Sequence, residues 1–176
     1  MWLDNDVRAR SMPGKSACRI ARAVVWYHLR MSDQQAVRSI VQDFLEGHMK
    51  MVLSVNEAGG PPNTVLMHYA IDKSLHLHFG TKRSSAKYAA LTKDPRVSFL
   101  VIEEGLDPTR VASGRGEVRE LEGESGENAK LLFKSINKSK WYMEEAKDLV
   151  MFQIKPTSLC WLDGSSGELK ICDIAL

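Results

Sequence analysis

Short stretches in which apolar and polar residues alternate occur along most of this chain, and a period of two is typical of β-strands with one buried face. In the clearest stretch, Leu75, Leu77 and Phe79 share one face, while His76 and His78 share the other. Strands are predicted over residues 49–55, 62–71, 75–80, 96–102, 109–121, 150–155, 157–163 and 168–174. Because short turns link most of them, we expect a mainly antiparallel sheet that closes into a barrel.

Helical periodicity predicts two or three helices beside these strands. The first begins at Ser32, an N-cap followed by Gln35 in a capping box, and it ends near Gly47. Its apolar face consists of Val37, Ile40, Val41, Phe44 and Leu45. A short helix is predicted over residues 85–91 and a longer one over residues 126–147, and the acidic residues at 122–127 are expected to form an exposed turn.

The capping box also predicts where the domain begins. Residues 1–30 have no clear periodicity and form an N-terminal extension, so the folded domain is predicted to span residues 31–176. The extension has two other interpretations, an added helix over residues 17–30 or a start site assigned too early.

Composition and charge narrow the functional classes. Among 176 residues, 44% are hydrophobic and 26% are charged, which is typical of a globular protein that is not embedded in a membrane. The net charge is +2, but the first 30 residues hold six basic and two acidic side chains, so the remainder carries −2. A domain without a basic surface is not expected to bind nucleic acid. No apolar stretch reaches the roughly 18–20 residues of a membrane span, so neither a membrane partner nor a secretory signal is expected.

The three cysteines lack metal-ligand spacing and include an unpaired one, which favours a reducing compartment such as the cytoplasm. The histidines at 68, 76 and 78 could be read as a metal or haem site. No carboxylate or cysteine is spaced to complete such a site, so we expect them to lie at a surface or an interface.

Polar and cationic side chains crowd the start of the short second helix. A strand ends at Gly80, and Thr81, Ser84, Ser85 and Lys87 follow it. The first turn of a helix has unpaired N–H groups and the positive end of the helix dipole, so this segment is suited to binding a phosphate. The alternative is a solvated helix start with Ser84 as its N-cap.

The run from Leu75 to Leu100 resembles the flavin-binding segment of pyridoxamine 5′-phosphate oxidase-like proteins. The matching residues are Thr81, Ser85, Lys87 and the sequence Asp94-Pro95-Arg96-Val97-Ser98. The resemblance implies an FMN-binding split β-barrel, mainly β with α, mostly antiparallel and with short peripheral helices. It also implies a homodimer with FMN sites at the interface and a small-molecule substrate.

Further residues enter the site only through this resemblance. In the family, the backbone of the second strand lies against the flavin ring, which implicates Val65, Leu66, Met67 and His68. Gly80 borders the phosphate segment, and Thr109 begins the strand with the family's glycine-rich pattern. Trp161 lies near the position where family members bring a residue from the partner subunit.

The chain also departs from the family pattern. Ala86 stands where family members often have an arginine, and Arg83 is the candidate substitute. The C-terminal segment lacks the Arg-x-His sequence of the true oxidases, so formation of pyridoxal phosphate is not expected.

The sequence therefore predicts an FMN-dependent oxidoreductase of unknown substrate, with no identifiable catalytic residue. The alternatives are a non-catalytic flavin, deazaflavin or haem protein, used as a sensor or for storage, and a structural dimer with a decayed site. Trp141, Tyr142 and Met143 are expected to pack on the barrel, and the alternative is that they line the flavin pocket.

Overall fold

The computed structural model describes residues 24–26, 31–57, 59–105, 109–137, 148–167 and 169–176. This part of the chain is mostly β-structure with three helices. The elements in chain order are β1 (Val24–Trp26), α1 (Met31–Glu46), β2 (Lys50–Val55), β3 (Asn63–His68), β4 (Ala70–Ile71), β5 (Leu77–Lys82), α2 (Ala86–Lys93), β6 (Arg96–Ile102), β7 (Arg110–Leu121), α3 (Gly123–Ile136), β8 (Leu149–Asp163) and β9 (Leu169–Ile174).

Strand β8 pairs with three other strands of the sheet. β8 pairs with β7 along one edge, and its other edge pairs with β5 through Leu149–Ile154 and with β9 through Leu159–Asp163. The full order is β1-β9-β8-β7-β6-β2-β3, with β5 attached to β8 and β4 to β5. Only the β1–β9 pairing is parallel among the described strands. This arrangement confirms the predicted split barrel.

A β-bulge at Thr157 interrupts the pairing of β8 with β7, and β8 continues beyond it. The β7–β8 register shifts between Arg115 and Gly116, and Pro156 lies opposite Gly116. A Cβ atom on Gly116 would stand 2.6 Å from the carbonyl oxygen of Lys155, so no larger residue fits there without a shift of the backbone. The strands predicted over residues 150–155 and 157–163 are thus one strand, because Pro156 lies beside this bulge, where a residue without an N–H is tolerated.

The core lies inside the barrel and beneath α1. Val41, Phe44 and Leu45 of α1 pack in the same cluster as Met51, Leu53 and Val55 of β2. The strand predicted over residues 62–71 is interrupted at Tyr69, whose buried hydroxyl donates a hydrogen bond to the carbonyl of Leu45 at 2.7 Å. This bond joins the end of α1 to the β3–β4 connection.

Several predicted boundaries were wrong. α1 begins at Met31, so Ser32 lies inside the helix and is not its N-cap. The first turns of α1 are instead fixed to the end of β9, where the side chain of Gln34 bonds both Asp173 O and Ala175 N. Residues 24–26 form β1, which contradicts the alternative helix there.

The acidic segment after β7 is also not the predicted turn. Its residues belong to α3, which begins at Gly123, where φ is +57° and a glycine is favoured. The later part of the predicted third helix, with Trp141, Tyr142 and Met143, lies outside the described residues. No described helix is long and apolar enough to cross a membrane.

Candidate functional site

The hydroxyl groups of Thr81 and Ser85 meet where β5 ends and α2 begins. Their oxygen atoms lie 3.0 Å apart, and Thr81 is buried at the end of its strand. Ser85 is the N-cap of α2, because its Oγ accepts a hydrogen bond from the backbone N–H of Tyr88 at 3.1 Å. The same Oγ donates to the carbonyl of Lys82 at 2.8 Å. Two hydroxyl groups are thereby fixed beside the positive end of a helix.

Ser84 does not share this arrangement. Its side chain is exposed, and its Oγ lies 3.4 Å from a carboxylate oxygen of Asp148. The alternative in which Ser84 caps the helix is therefore wrong, since Ser85 has that position. The turn geometry decides between these neighbouring serines, and the sequence alone offers both.

Lys87 connects the first turn of α2 to β3. Its Nζ lies 2.8 Å from the Sδ of Met67, a buried residue of β3. Burial lowers the pKa of Lys87, and no carboxylate contacts its ammonium within the described part of the chain. A thioether is a weak acceptor, so this half-buried cation lacks a strong counter-charge.

Strand β3 lies at one end of the main sheet order, where β2 is its only described neighbour in the ladder. Val65 is half-buried, Leu66 is 67% exposed and Met67 is buried. His68 ends the strand, and its pKa is lowered by burial and by the charge of Lys50 opposite it. The backbone of residues 65–68 therefore borders an open side of the sheet.

A second polar cluster fixes Arg83, which the sequence offered as a substitute for the missing cation at position 86. Its guanidinium donates to the hydroxyl of Tyr88 at 2.7 Å and to Glu120 at 2.8 Å. The hydroxyl of Tyr88 in turn donates to Glu120 at 2.9 Å, and this hydrogen bond raises the pKa of Tyr88. Arg83 therefore has a carboxylate partner on β7, whereas Lys87 does not. This cluster has no local sequence signal, because Glu120 is distant from Arg83 along the chain.

The structure separates the other predicted site residues from this junction. Gly80 points to the opposite face of β5 from Thr81, where a Cβ would stand 2.8 Å from the side chain of Leu149. Thr109 is exposed and precedes β7 at its far end, with its carbonyl bonded to the N–H of Gly164. Trp161 is buried in the core, with its ring 4.8 Å from that of Phe44.

His76, just before β5, and His78, within it, differ from expectation. His78 is buried, and its Nε2 lies 3.0 Å from Asp72, which also lies 3.3 Å from His76. A carboxylate nevertheless lies beside both rings, because the tight β4–β5 turn brings Asp72 back to them. The Nδ1 of His78 is buried without a hydrogen-bonding partner. No group of three ligands suited to a metal ion is found in the described residues.

The outer face of the sheet has an apolar band. One cross-strand row runs from Leu66 through Val52 and Leu100, and a second runs through Ile102, Val111, Leu162 and Ile171. These side chains are half-buried or exposed. An apolar band of this kind on a barrel exterior is typical of a protein interface.

Comparison with known proteins places these features in context. A profile of the family described as "Pyridoxamine 5′-phosphate oxidase" matches residues 38–159. The matched span includes β3, the start of α2 and most of β8. No match to the chain was found among curated protein sequences.

Several solved structures are similar. An FAD-binding protein from Mesorhizobium loti is 21% identical with a TM-score of 0.59, and the alignment covers 69% of this chain and 89% of that one. A haem-binding protein from Mycobacterium smegmatis is 16% identical with a TM-score of 0.63, over 81% of this chain and 58% of that one. A haem storage protein from Vibrio cholerae is 15% identical with a TM-score of 0.55, over 69% of this chain and 91% of that one. At these identities the likeness shows the shared fold alone.

Proposed function

Because the chain belongs to the pyridoxamine 5′-phosphate oxidase family, we propose that it binds FMN and acts as a flavin-dependent oxidoreductase on a small molecule. The phosphate would bind at the junction of β5 and α2, and the ring would lie along β3. Bound flavin would supply hydride transfer, and the protein would bind and orient it.

The observation that carries this proposal is the half-buried ammonium of Lys87. Its described partner is a thioether, and burial lowers its pKa. A phosphate at this position would give the ammonium a counter-charge, and it would accept hydrogen bonds from the hydroxyl groups of Thr81 and Ser85 after these turn away from each other and from the carbonyl of Lys82. The donor set therefore fits a phosphate monoester. Because Lys87 also contacts Met67 of β3, a ligand held there has β3 directly beside it.

The apolar outer face supports a homodimer as the functional form. Leu66 is 67% exposed at the edge of this face, next to the backbone proposed to flank the ring. A second copy packed on this face would cover the apolar band and would enclose a ligand lying along β3. Trp161 is buried within its own subunit, so any residue contributed by a partner would come from elsewhere.

A haem-binding role is the second candidate, and two of the similar structures are named for it. Asp72 contacts one ring nitrogen of His78, and metal-ligating histidines often have a carboxylate at this position. However, the other ring nitrogen of His78 is buried in the protein. The side chains around Lys87 are hydroxyls and an ammonium, which suit a phosphate better than an iron porphyrin. A deazaflavin coenzyme remains an alternative ligand for the same phosphate site.

Spectroscopy of the purified protein tests the proposal. If the protein is purified with its flavin, we expect absorption at about 450 nm, a property of the flavin class. If it is purified without flavin, we expect the fluorescence of added FMN to be quenched on binding. A Soret band in place of the flavin spectrum would favour the haem alternative. Protein that is colourless and does not bind FMN at micromolar concentrations would contradict a flavin function. Reduction of the bound flavin by a nicotinamide cofactor, followed by transfer to an acceptor, would distinguish an enzyme from a flavin-binding protein.

A further inference from the structure

A pocket opens where the end of α1 meets the start of β2 and the end of β6. It has a volume of about 360 Å³, which is enough for a small organic molecule. It contains none of the residues of the phosphate junction. Its lining residues are Gly47, His48, Met49, Lys50, Ile102, Glu103 and Glu104.

The imidazole of His48 is held in a fixed orientation. Its Nδ1 lies 2.6 Å from the carbonyl oxygen of Phe44, and because a carbonyl can only accept, Nδ1 donates this hydrogen bond. The rings of His48 and Phe44 also pack with their centroids 4.2 Å apart. The Nε2 lies 3.8 Å from Glu103, beyond hydrogen-bonding distance. This nitrogen is therefore available for a hydrogen bond with a ligand.

The negative charge of Glu103 is already neutralised. Arg110 contacts one oxygen of this carboxylate, and its guanidinium lies 5.8 Å above the ring of Phe44. A cationic ligand would therefore have to compete with a partly buried arginine. This arrangement disfavours a cation at the base of the pocket.

Lys50 is the group with which an anionic ligand can form an ion pair. Its side chain is 52% exposed, and its partner Glu104 is 86% exposed at a distance of 3.5 Å. Exposed pairs of this kind contribute little, about 0–1 kcal/mol, so a ligand carboxylate can replace Glu104. Met49 and Ile102 are 48% and 52% exposed, and they add an apolar surface beside the ammonium.

The pocket adjoins β3. Lys50 is the cross-strand partner of His68, so their Cα atoms are separated by about 4.5–5.5 Å, the distance between paired antiparallel residues. The lowered pKa of His68 keeps its ring neutral near pH 7, which leaves Lys50 as the cation at this end of the strand. A ligand in the pocket would thus lie one strand away from β3.

We propose that this pocket binds the substrate, and that the substrate is a small organic carboxylate with an apolar body. The carboxylate pairs with Lys50, the apolar body lies on Met49 and Ile102, and Nε2 of His48 accepts a hydrogen bond from a substrate that carries a donor group. The role as substrate pocket rests on the proposed flavin function, whereas the preference for a carboxylate rests on the pocket alone.

Benzoate is a suitable probe, with benzyl alcohol and benzylamine as its neutral and cationic counterparts. Dissociation constants would be measured by ligand-observed NMR on the full chain, both with and without added FMN. We expect benzoate to bind about two- to fivefold more tightly than either counterpart, the range for an exposed ion pair. The substitution Lys50→Met should weaken benzoate by the same factor without changing the dissociation constant of FMN. Lys155→Met removes an exposed lysine on β8 and should leave both values unchanged.

The two proposals can fail separately. If Lys50→Met and Lys155→Met bind benzoate equally well, or if benzylamine binds better than benzoate, the carboxylate pocket is refuted even when FMN binds. If benzoate binding depends on Lys50 but FMN does not bind, the flavin function fails and the carboxylate preference stands. If benzoate binds with this dependence but leaves the spectrum of bound FMN unchanged, the pocket does not serve the flavin.

Discussion

The ammonium of Lys87 lies 2.8 Å from the thioether sulfur of Met67, so α2 and β3 meet through a cation that has no carboxylate partner among the described residues. Substitution of this lysine should separate ligand binding from stability. We expect Lys87→Met to weaken FMN binding by about 1.5–3 kcal/mol, the range for a hydrogen bond to a charged group. The same change should stabilise the cofactor-free protein by about 1 kcal/mol, or roughly 2–4 °C in Tm, because it removes a partly desolvated charge.

FMN titration and thermal unfolding would measure the two effects. Lys93→Met is the matched control, since Lys93 is an exposed lysine in the last turn of the same helix. Equal affinities of the two variants for FMN would show that the phosphate binds elsewhere.

Ser85 has two roles that different substitutions can separate. Ser85→Ala removes the N-cap of α2 and should cost about 1 kcal/mol of stability as well as FMN affinity. Ser85→Asp retains a good N-cap, so stability should return towards that of the wild type. FMN affinity should nevertheless fall further, because a carboxylate repels the phosphate. Chemical denaturation and FMN titration would show this pattern, and an aspartate variant that binds FMN normally would contradict the site.

The proposed homodimer can be tested with two leucines of almost equal exposure. Leu66 on β3 is 67% exposed, and Leu131 on α3 is 66% exposed. We expect Leu66→Arg to shift the protein to a monomer and to weaken FMN binding, because it places a charge in the apolar band. Leu131→Arg should change neither property. Light scattering after gel filtration would measure the mass of each variant in solution. A Leu66→Arg variant that remains dimeric would show that this face is not the interface.

The pair of Asp72 and His78 predicts a dependence of stability on pH. Burial alone would raise the pKa of Asp72, but hydrogen bonds from His78 and from the backbone of His76 and Ser74 outweigh it, so the pKa is lowered. The stabilisation is therefore complete above the unfolded value of about 4 and is lost as the pH falls through the folded value. We expect Asp72→Asn to destabilise the protein by about 1–2 kcal/mol at pH 7.

The difference between wild type and Asp72→Asn should shrink as the pH falls below about 4. Urea unfolding at a series of pH values measures this difference in the free energy of unfolding. Asp43→Asn changes an exposed aspartate of α1 and serves as the control. A difference that is constant between pH 7 and pH 3 would contradict a role for the ionised carboxylate.

The sequence predicted the features that depend on local patterns. Alternation predicted β6 at its observed bounds, and the short helix predicted over residues 85–91 is α2. The features that it missed depend on contacts between distant segments. Neither the bond between Arg83 and Glu120 nor the contact between Lys87 and Met67 has a local signal. The contact of Asp72 with His78 has one, because the turn at residues 72–74 separates the two residues by only six positions.

The continuous strand β8 also has a consequence for biosynthesis. β5 and β7 emerge from the ribosome well before β8, and both need its backbone as a hydrogen-bonding partner. Until then they expose strand edges, which are prone to aggregation. We therefore expect barrel closure to be a late and slow step of folding, as is typical when partners are far apart along the chain. Pulse-labelled hydrogen exchange during refolding should show that amides of β5 become protected together with those of β8, and earlier protection of β5 would refute this order.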